Sequence, residues 1–151
     1  MADATTILKW ENTPEFWAIT ENIGPFQMSD IIEFIKQSND LLTDGQQRYM
    51  ILDKDDIPIG ALDLFGYNKL LRSAGIGILI ADVINRNKGF AYTALSLIIS
   101  ELKKTSTIKQ LHCIIHTENT PSIRLFSGLG FIEIGKEIFK GREVVRYVKE
   151  I

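Results

Sequence analysis

Residues 81–104, ADVINRNKGFAYTALSLIISELKK, decide how this chain is read. An apolar run ends, a polar and basic loop follows (Asn85, Arg86, Asn87, Lys88), a glycine closes the loop, and a long amphipathic segment begins. A strand that passes through a short loop into a helix leaves several backbone N–H groups at the helix N-terminus without intrahelical partners. With the helix dipole they form a nest for phosphate oxygens. Gly89 permits close backbone approach and a φ denied to bulkier residues, and Arg86 and Lys88 add charge at the rim. The bland alternative is a surface loop whose glycine merely caps a helix. Spacing alone leaves both open.

Working outward, the helix from Gly89 to Lys104 carries Phe90, Ala94, Leu97, Ile98 and Leu102 at helical spacing, as expected of a segment laid on a sheet. Before it lie the apolar run AGIGILIADV and, earlier, RYMILDKDDIPIGALDLFGY. The latter is two β-rich segments split by Asp55, Asp56 and Pro58, which reads as an antiparallel hairpin. The opening ADATTILKWENTPEFWAI predicts a short helix from Asp3, broken near Pro14. In SDIIEFIKQSN, Asp30 and Glu33 have capping-box spacing ahead of Ile31, Ile32, Phe34 and Ile35. After the long helix, KQLHCIIHT is a short strand, and TPSIRLFSGLG a helix with Thr120 as N-cap, Pro121 at its first position and Gly128 or Gly130 as its stop. FIEIGKEIFKGREVVRYVKEI is a hairpin turning at Lys140 to Arg142. The order αα, βββ, α, β, α, ββ defines a mixed α+β fold.

At 151 residues and 45% apolar, the chain has the size of one ordinary domain, 1–151. Seventeen Lys plus Arg against 19 Asp plus Glu gives a net charge of −2, so no global field gathers nucleic acid or anionic lipid. Any phosphate recognition is local. The one cysteine, Cys113, excludes an internal disulfide framework, and no charged and apolar leader opens the chain, which points to the cytoplasm. No apolar run approaches the ~20 residues that span a bilayer. No P-loop pattern G-x-x-x-x-G-K-[ST] occurs. GIGILI has Gly75 and Gly77, but Ile80 stands where a dinucleotide fingerprint needs its third glycine. His112 and His116, four apart on a strand, are separated by roughly 13 Å, which argues against a metal pair.

Arg86-Asn-Lys-Gly89-Phe-Ala91 resembles the Q/R-x-x-G-x-G/A acyl-coenzyme A signature of the GNAT superfamily of N-acetyltransferases, Ala91 taking the alternative at the last position. Further on, Asn119-Thr-Pro-Ser122-Ile-Arg-Leu-Phe126-Ser-Gly-Leu-Gly130-Phe131 is similar to the asparagine-containing segment that ends in Gly-Phe in the same superfamily. The runs QRYMI, PIGALDLF and AGIGILI resemble the branch that includes ribosomal-protein alanine and spermidine acetyltransferases. The resemblance implies a central, mostly antiparallel twisted sheet, splayed between two strands and flanked by helices. It also exposes a departure. Members normally begin with a strand, and only Met1 and Ala2 precede the first helix here, so a missing first strand is expected, with one sheet edge left uncovered or filled by another chain. A homodimer is compatible with that edge.

The resemblance implies an enzyme that moves an acetyl group from acetyl-CoA, without a metal, to a primary amine: a polyamine, an amino acid or a protein N-terminus. The alternative is a noncatalytic acyl-CoA binding or sensing module on the same fold. Arg86, Asn87, Lys88, Gly89, Phe90 and Ala91 would hold the pyrophosphate, and Leu79, Ile80 and Ala81 would pair with the pantetheine arm like an added strand. That fixes the thioester beside the amine and leaves a backbone N–H for the oxyanion. Asn119, Ser122 and Phe126 would line the cofactor. Superfamily members often use a tyrosine seven residues after the asparagine to protonate the departing thiolate, and here that position is Phe126. Ser122, one turn earlier on the same face, is the candidate donor, against the plainer role of bonding to the helix backbone. His116, Glu118 and Asp82 are candidate bases near predicted strand ends. Cys113 reads as a small core residue, and Arg48 with Asp63 as a structural ion pair across neighbouring strands. The acceptor pocket is expected from the first two helices, where Trp10, Phe16, Trp17 and Phe26 alternate with Glu11, Glu15 and Glu21, a composition suited to a cationic amine but equally to core aromatics and solvated carboxylates.

Overall fold

The near-continuous apolar run of residues 74–81 predicts a strand covered on both faces, and the computed structural model places it in the middle of a sheet. It describes residues 3–20, 23–105 and 107–151, and the side chains of all of these except 18–20. In chain order the elements are α1 (Ala4–Glu11), α2 (Pro14–Thr20), α3 (Met28–Lys36), β1 (Asn39–Asp40), α4 (Leu41–Asp44), β2 (Gln46–Leu52), β3 (Pro58–Asn68), β4 (Ser73–Ile80), a 3₁₀ turn at Val83–Asn85, α5 (Phe90–Thr105), β5 (Gln110–His116), α6 (Thr120–Gly128), β6 (Ile132–Phe139) and β7 (Arg142–Glu150). The strands form one sheet in the order β1-β2-β3-β4-β5-β7-β6. Every neighbouring pair is antiparallel except β4 with β5.

Alternation along the strands assigns the faces. Ile76, Ile78 and Ile80 of β4 pack with Leu62 and Leu64 of β3 against Leu95 and Ile99 of α5. Leu79, Ala81 and Ala61 turn the other way, to Trp10 of α1 and Phe16 of α2. Leu97, expected in the stripe of α5, is 62% exposed; the buried positions are Leu95 and Ile99, with Phe90, Ala94, Ile98 and Leu102 half-buried around them. The stripe is thus centred on Leu95 and Ile99, two residues to either side of Leu97, which the helical period of about 100° per residue turns away from both. In β3, Gly60 lies where an added Cβ would sit 2.2 Å from Leu79 O, so a side chain there would push β3 from β4.

The helix break expected near Pro14 is present: α1 ends at Glu11 and Pro14 begins α2, where its missing N–H falls in the first turn. Three local expectations change. Asp30 is not the cap of α3; Gln27 is, and Asp30, three residues on, accepts the Gln27 N–H at 2.7 Å. Asp3 does stand at the start of α1, yet it makes no side-chain cap. The short β1 and α4 lie in a stretch to which the sequence pattern assigns no element: Asp40 accepts from Leu42 and Thr43 N–H, and Gly45 closes the turn at φ +76°.

Among the described residues no strand precedes α1, and Met1 and Ala2 lie outside them. Beyond β2 the sheet holds only β1, paired at Asn39↔Gln47 and Asp40↔Gln46, plus a bond from Arg48 N–H to Ser38 O. The outer edge of β2 past Arg48 carries no further strand among the described residues.

Candidate active site

β4 and β5 run parallel, but their pairing stops at Gly75↔His112. Past that point they diverge. Arg72 O accepts from Lys109 and Gln110 N–H, and Ala81 N–H donates to Ile59 O at 2.9 Å. Backbone groups alternate between the two edges of a paired strand. Ile76, Ile78 and Ile80 therefore turn their N–H and C=O away from β3, into the gap. A cavity of about 640 Å³ occupies it, walled by Ile76 to Leu79 on one side and Cys113 to His116 on the other.

At the far end of β4 the chain turns through the loop. Asn87 at φ +58° and Gly89 at φ +85° are left-handed, and nothing lies within 4 Å of the place a Gly89 Cβ would take. The first i→i−4 bond of α5 runs from Thr93 N–H to Gly89 O at 2.9 Å. The N–H groups of Phe90, Ala91 and Tyr92 precede it, so they carry the orphan donors of the helix start. Asn87 and Lys88 are exposed. Arg86 is not simply a charge at the rim: its Nε donates to Ile80 O at 3.1 Å and its Nη2 to Ala81 O at 3.2 Å.

The third wall is α6. Its N-cap is Asn119, not Thr120: Asn119 Oδ1 accepts the Ser122 N–H at 3.3 Å, and Pro121 follows inside the first turn. An amide side chain one bond longer than the Thr hydroxyl reaches this donor from one residue earlier. Asn119, Ser122 and Phe126 all line the cavity, so the helix presents one face to it. Phe126 is 3% exposed and meets Phe131 edge to face, with ring centroids 5.0 Å apart. The helix ends at Gly128, and Gly130 takes φ +82° just beyond.

The opposite end of the cavity is built from side chains. Trp10, Glu11, Phe16 and Phe26 line it, as the sequence reading expected. Trp17 instead donates its Nε1–H to Glu11 O at 2.7 Å, Glu15 is exposed, and Glu21 lies outside the described residues. Phe34, Asp30, Arg48 and Asp63 were missed as cavity residues. Arg48 and Asp63 face each other across β2 and β3, and the guanidinium grips the carboxylate with two bonds, Nε to Oδ1 at 2.7 Å and Nη2 to Oδ2 at 2.8 Å. Nη1 reaches Glu11 of α1 at 2.9 Å, while the Arg48 carbon Cζ sits 4.5 Å above the Phe34 ring. Burial opposes the charge on Arg48, but the carboxylates of Asp63 and Glu11 outweigh it and its pKa is raised. The ion pair read from sequence is present, and it also ties α1 and α3 to the sheet at the cavity wall. Its signal was the cross-strand register; α1 could not be placed over it from sequence.

Of the candidate bases, His116 lines the cavity, whereas Asp82 and Glu118 are exposed and do not. Cys113 is buried on the cavity wall, and burial pushes its thiol up to about 12, so it is not a thiolate near neutral pH.

A sheet opened between two parallel strands, with a phosphate-type loop at the end of one and an aromatic, acidic chamber beyond, defines an acyl-transfer scaffold. The acetyltransferase (GNAT) domain family matches residues 1–132, and the chain belongs to it: this is a GNAT N-acetyltransferase with the GNAT fold. The chain is 30% identical over 158 aligned positions to an uncharacterized N-acetyltransferase p20 of Bacillus licheniformis, covering 98% of this chain and 86% of that one. It is 31% identical over 114 positions to a spermidine N(1)-acetyltransferase of Vibrio cholerae, covering 74% of this chain and 63% of that one. A crystal structure of spermidine N-acetyltransferase from Vibrio cholerae in complex with CoA and spermine superposes with a TM-score of 0.83 at 21% identity, over 99% of this chain and 90% of that one.

Proposed function

We propose that this chain, as one domain, transfers an acetyl group from acetyl-CoA to a primary amine by direct attack within a ternary complex. One observation carries the reading: a single cavity joins the unpaired edge of β4, from Ile76 to Leu79, to an aromatic and acidic chamber, and the chain runs on from that edge into the phosphate-type loop. The edge fits the pantetheine arm because its N–H and C=O groups at Ile76 and Ile78 face the gap with no strand opposite them. The nest from Arg86 to Ala91 fits the pyrophosphate, its charge neutralised by backbone dipoles and by Lys88. Bound acetyl-CoA supplies the activated acetyl thioester.

The chain's own residues then bind, orient and move the protons. Leu79, Ile80 and Ala81 form the strand end at which the arm turns toward the loop. Asn119 holds the first turn of α6 in place, so that Ser122 and Phe126 face the gap together. Phe126 packs against the arm, and Ser122 donates the proton to the departing thiolate. Glu11, Asp30 and Asp63 outnumber Arg48 among the charged residues of the acceptor chamber, which favours a cationic amine. His116, at the end of β5 on the cavity wall, takes the amine proton.

The acceptor class follows from that chamber: polyamines, amino acids and protein N-termini all present a primary ammonium to aromatic walls. The spermidine N(1)-acetyltransferase of Vibrio cholerae among its relatives puts polyamines first among amines to try. The uncovered edge of β2 suits a homodimer, and the lone thiol of Cys113 suits a cytoplasmic setting. No helix among the described residues is long and apolar enough to cross a membrane.

The test is calorimetric titration with acetyl-CoA of the wild type and of Gly89→Asp, which places a carboxylate in the nest at a residue held at φ +85°. Binding by the wild type that Gly89→Asp abolishes, followed by amine-dependent CoA release, is the expected result. A folded wild type that binds no acetyl-CoA ends the proposal, and binding without CoA release for any amine leaves a sensing module in its place.

A further inference from the structure

Resting on the reading of this loop as the acyl-CoA site, we propose that Arg86 is a positioning residue: a brace that ties the phosphate loop to the end of the unpaired β4 edge and sets the distance between them. The argument begins with the edge. From Ile76 onward the even-numbered residues of β4 offer their backbone groups to the gap, and Ile80 is the last of them. Its carbonyl is the one that Arg86 Nε takes, at 3.1 Å, while Nη2 takes the next carbonyl, Ala81 O, at 3.2 Å. One planar guanidinium thereby bonds two successive carbonyls of a chain segment whose N–H side is already fixed by the bond from Ala81 to Ile59 O at 2.9 Å. Between that point and α5 lie only a single 3₁₀ turn and the left-handed Asn87 and Gly89.

Without the Arg86 side chain the reversal from Ala81 to Phe90 keeps one loop-internal backbone bond at each of Asn85 and Arg86, to Asp82 O and Val83 O, and among the described residues no other hydrogen bond ties the loop back to the end of β4. A ligand that grips the loop with its phosphates and the edge with its arm gains from both only when their separation is preset, because the second contact then costs little further ordering. The guanidinium presets it. A fully exposed rim charge would serve the phosphates alone. A side chain whose donors face two backbone carbonyls serves the whole ligand instead. It also marks where strand-like pairing by the arm stops: Ile80 O is taken, so the arm pairs along Ile76 and Ile78.

The experiment compares acetyl-CoA with two partial ligands, ADP for the loop and S-acetylpantetheine for the edge, by titration calorimetry on wild type, Arg86→Ala and Arg86→Gln, with melting curves confirming that each variant is folded. The brace predicts that Arg86→Ala weakens acetyl-CoA by about tenfold or more while ADP changes by less than about twofold, since only the joined ligand depends on the preset distance. Arg86→Gln, which retains one amide donor but no charge, falls between. Equal loss for ADP and acetyl-CoA would make Arg86 a direct phosphate contact and overturn the brace. So would unchanged acetyl-CoA affinity in both variants, or tighter acetyl-CoA binding in Arg86→Ala, which would mean that the guanidinium competes with the arm for Ile80 O. A wild type that binds ADP and S-acetylpantetheine but not acetyl-CoA more tightly than either also overturns it. A wild type that binds none of the three defeats the acyl-CoA reading itself, a different failure from any of these.

Discussion

The two ends of the proposed site are made of different materials, the cavity itself reaching only to Leu79 and the loop lying beyond it. The cofactor end is backbone: the even-numbered groups of β4, the left-handed Asn87 and Gly89, and the first N–H groups of α5. The acceptor end is side chains drawn from α1, α2, α3, β2 and β3, joined by one guanidinium. Backbone geometry tolerates most substitutions that preserve local conformation, whereas a side-chain chamber changes with any of its members. The expectation is that ligand recognition at the first end depends on few residues, and that stability and acceptor choice at the second are linked.

Arg48→Met tests that link most severely. Breaking one partner of a largely buried pair leaves Glu11 and Asp63 facing each other uncompensated, at a cost of about 3–5 kcal/mol. Urea titration of the variant checks it, and a loss below about 1 kcal/mol would show the acceptor end to be a solvated surface. Ser122→Ala comes next. As the proposed proton donor, Ser122 is expected to account for about 10²-fold in kcat with the affinity for acetyl-CoA unchanged, and Phe126→Tyr in that background is expected to restore part of the rate. Steady-state kinetics showing equal kcat would return Ser122 to a helix-start residue and break the division of labour between the two ends.

Gly60→Ala probes the boundary between them. Its Cβ would meet Leu79 O at 2.2 Å, so the strands must part, at about 1–3 kcal/mol in thermal melts, and acetyl-CoA binding should weaken with them. The smallest effect belongs to His112. Burial, and then the charge of Arg146, lowers its pKa below the ordinary 6.5. The folded chain thus binds fewer protons there than the unfolded one, and stability falls as pH drops below the ordinary value toward the folded one. His112→Asn should flatten melting temperature against pH in that window; an unaltered slope would assign the acid sensitivity to other groups.

Much of the cofactor end was legible because its signals are local. The loop and Gly89 lie within one stretch of chain, and the Asn119 segment within another, so spacing and cap chemistry suffice to find them. Even so, the cap itself was misplaced by one residue, since Thr120 and Asn119 both carry an oxygen and only the turn geometry selects between them. Arg86 was legible as a charge but not as a brace: nothing in its neighbours says that the guanidinium folds back on Ile80 and Ala81. At the other end, three of the four aromatics expected there, Trp10, Phe16 and Phe26, line the cavity and Trp17 does not, while Phe34 reads from sequence as part of a helix stripe and Arg48 and Asp63 as structure alone. Their shared chamber depends on α1 crossing the sheet above β2, a contact between residues 37 positions apart.

By itself, then, the sequence determined the order of elements from β2 to β7, the mixed fold, the loop at 85–89 and the face of α6 that carries Ser122 and Phe126, because periodicity, caps and glycines act over a few residues. Only the tertiary structure decided where β4 and β5 part, which edge of β4 is left unpaired, and how Glu11, Arg48 and Asp63 meet. Those depend on register and on the packing of distant elements, where small local preferences are outweighed by burial of both faces of the sheet.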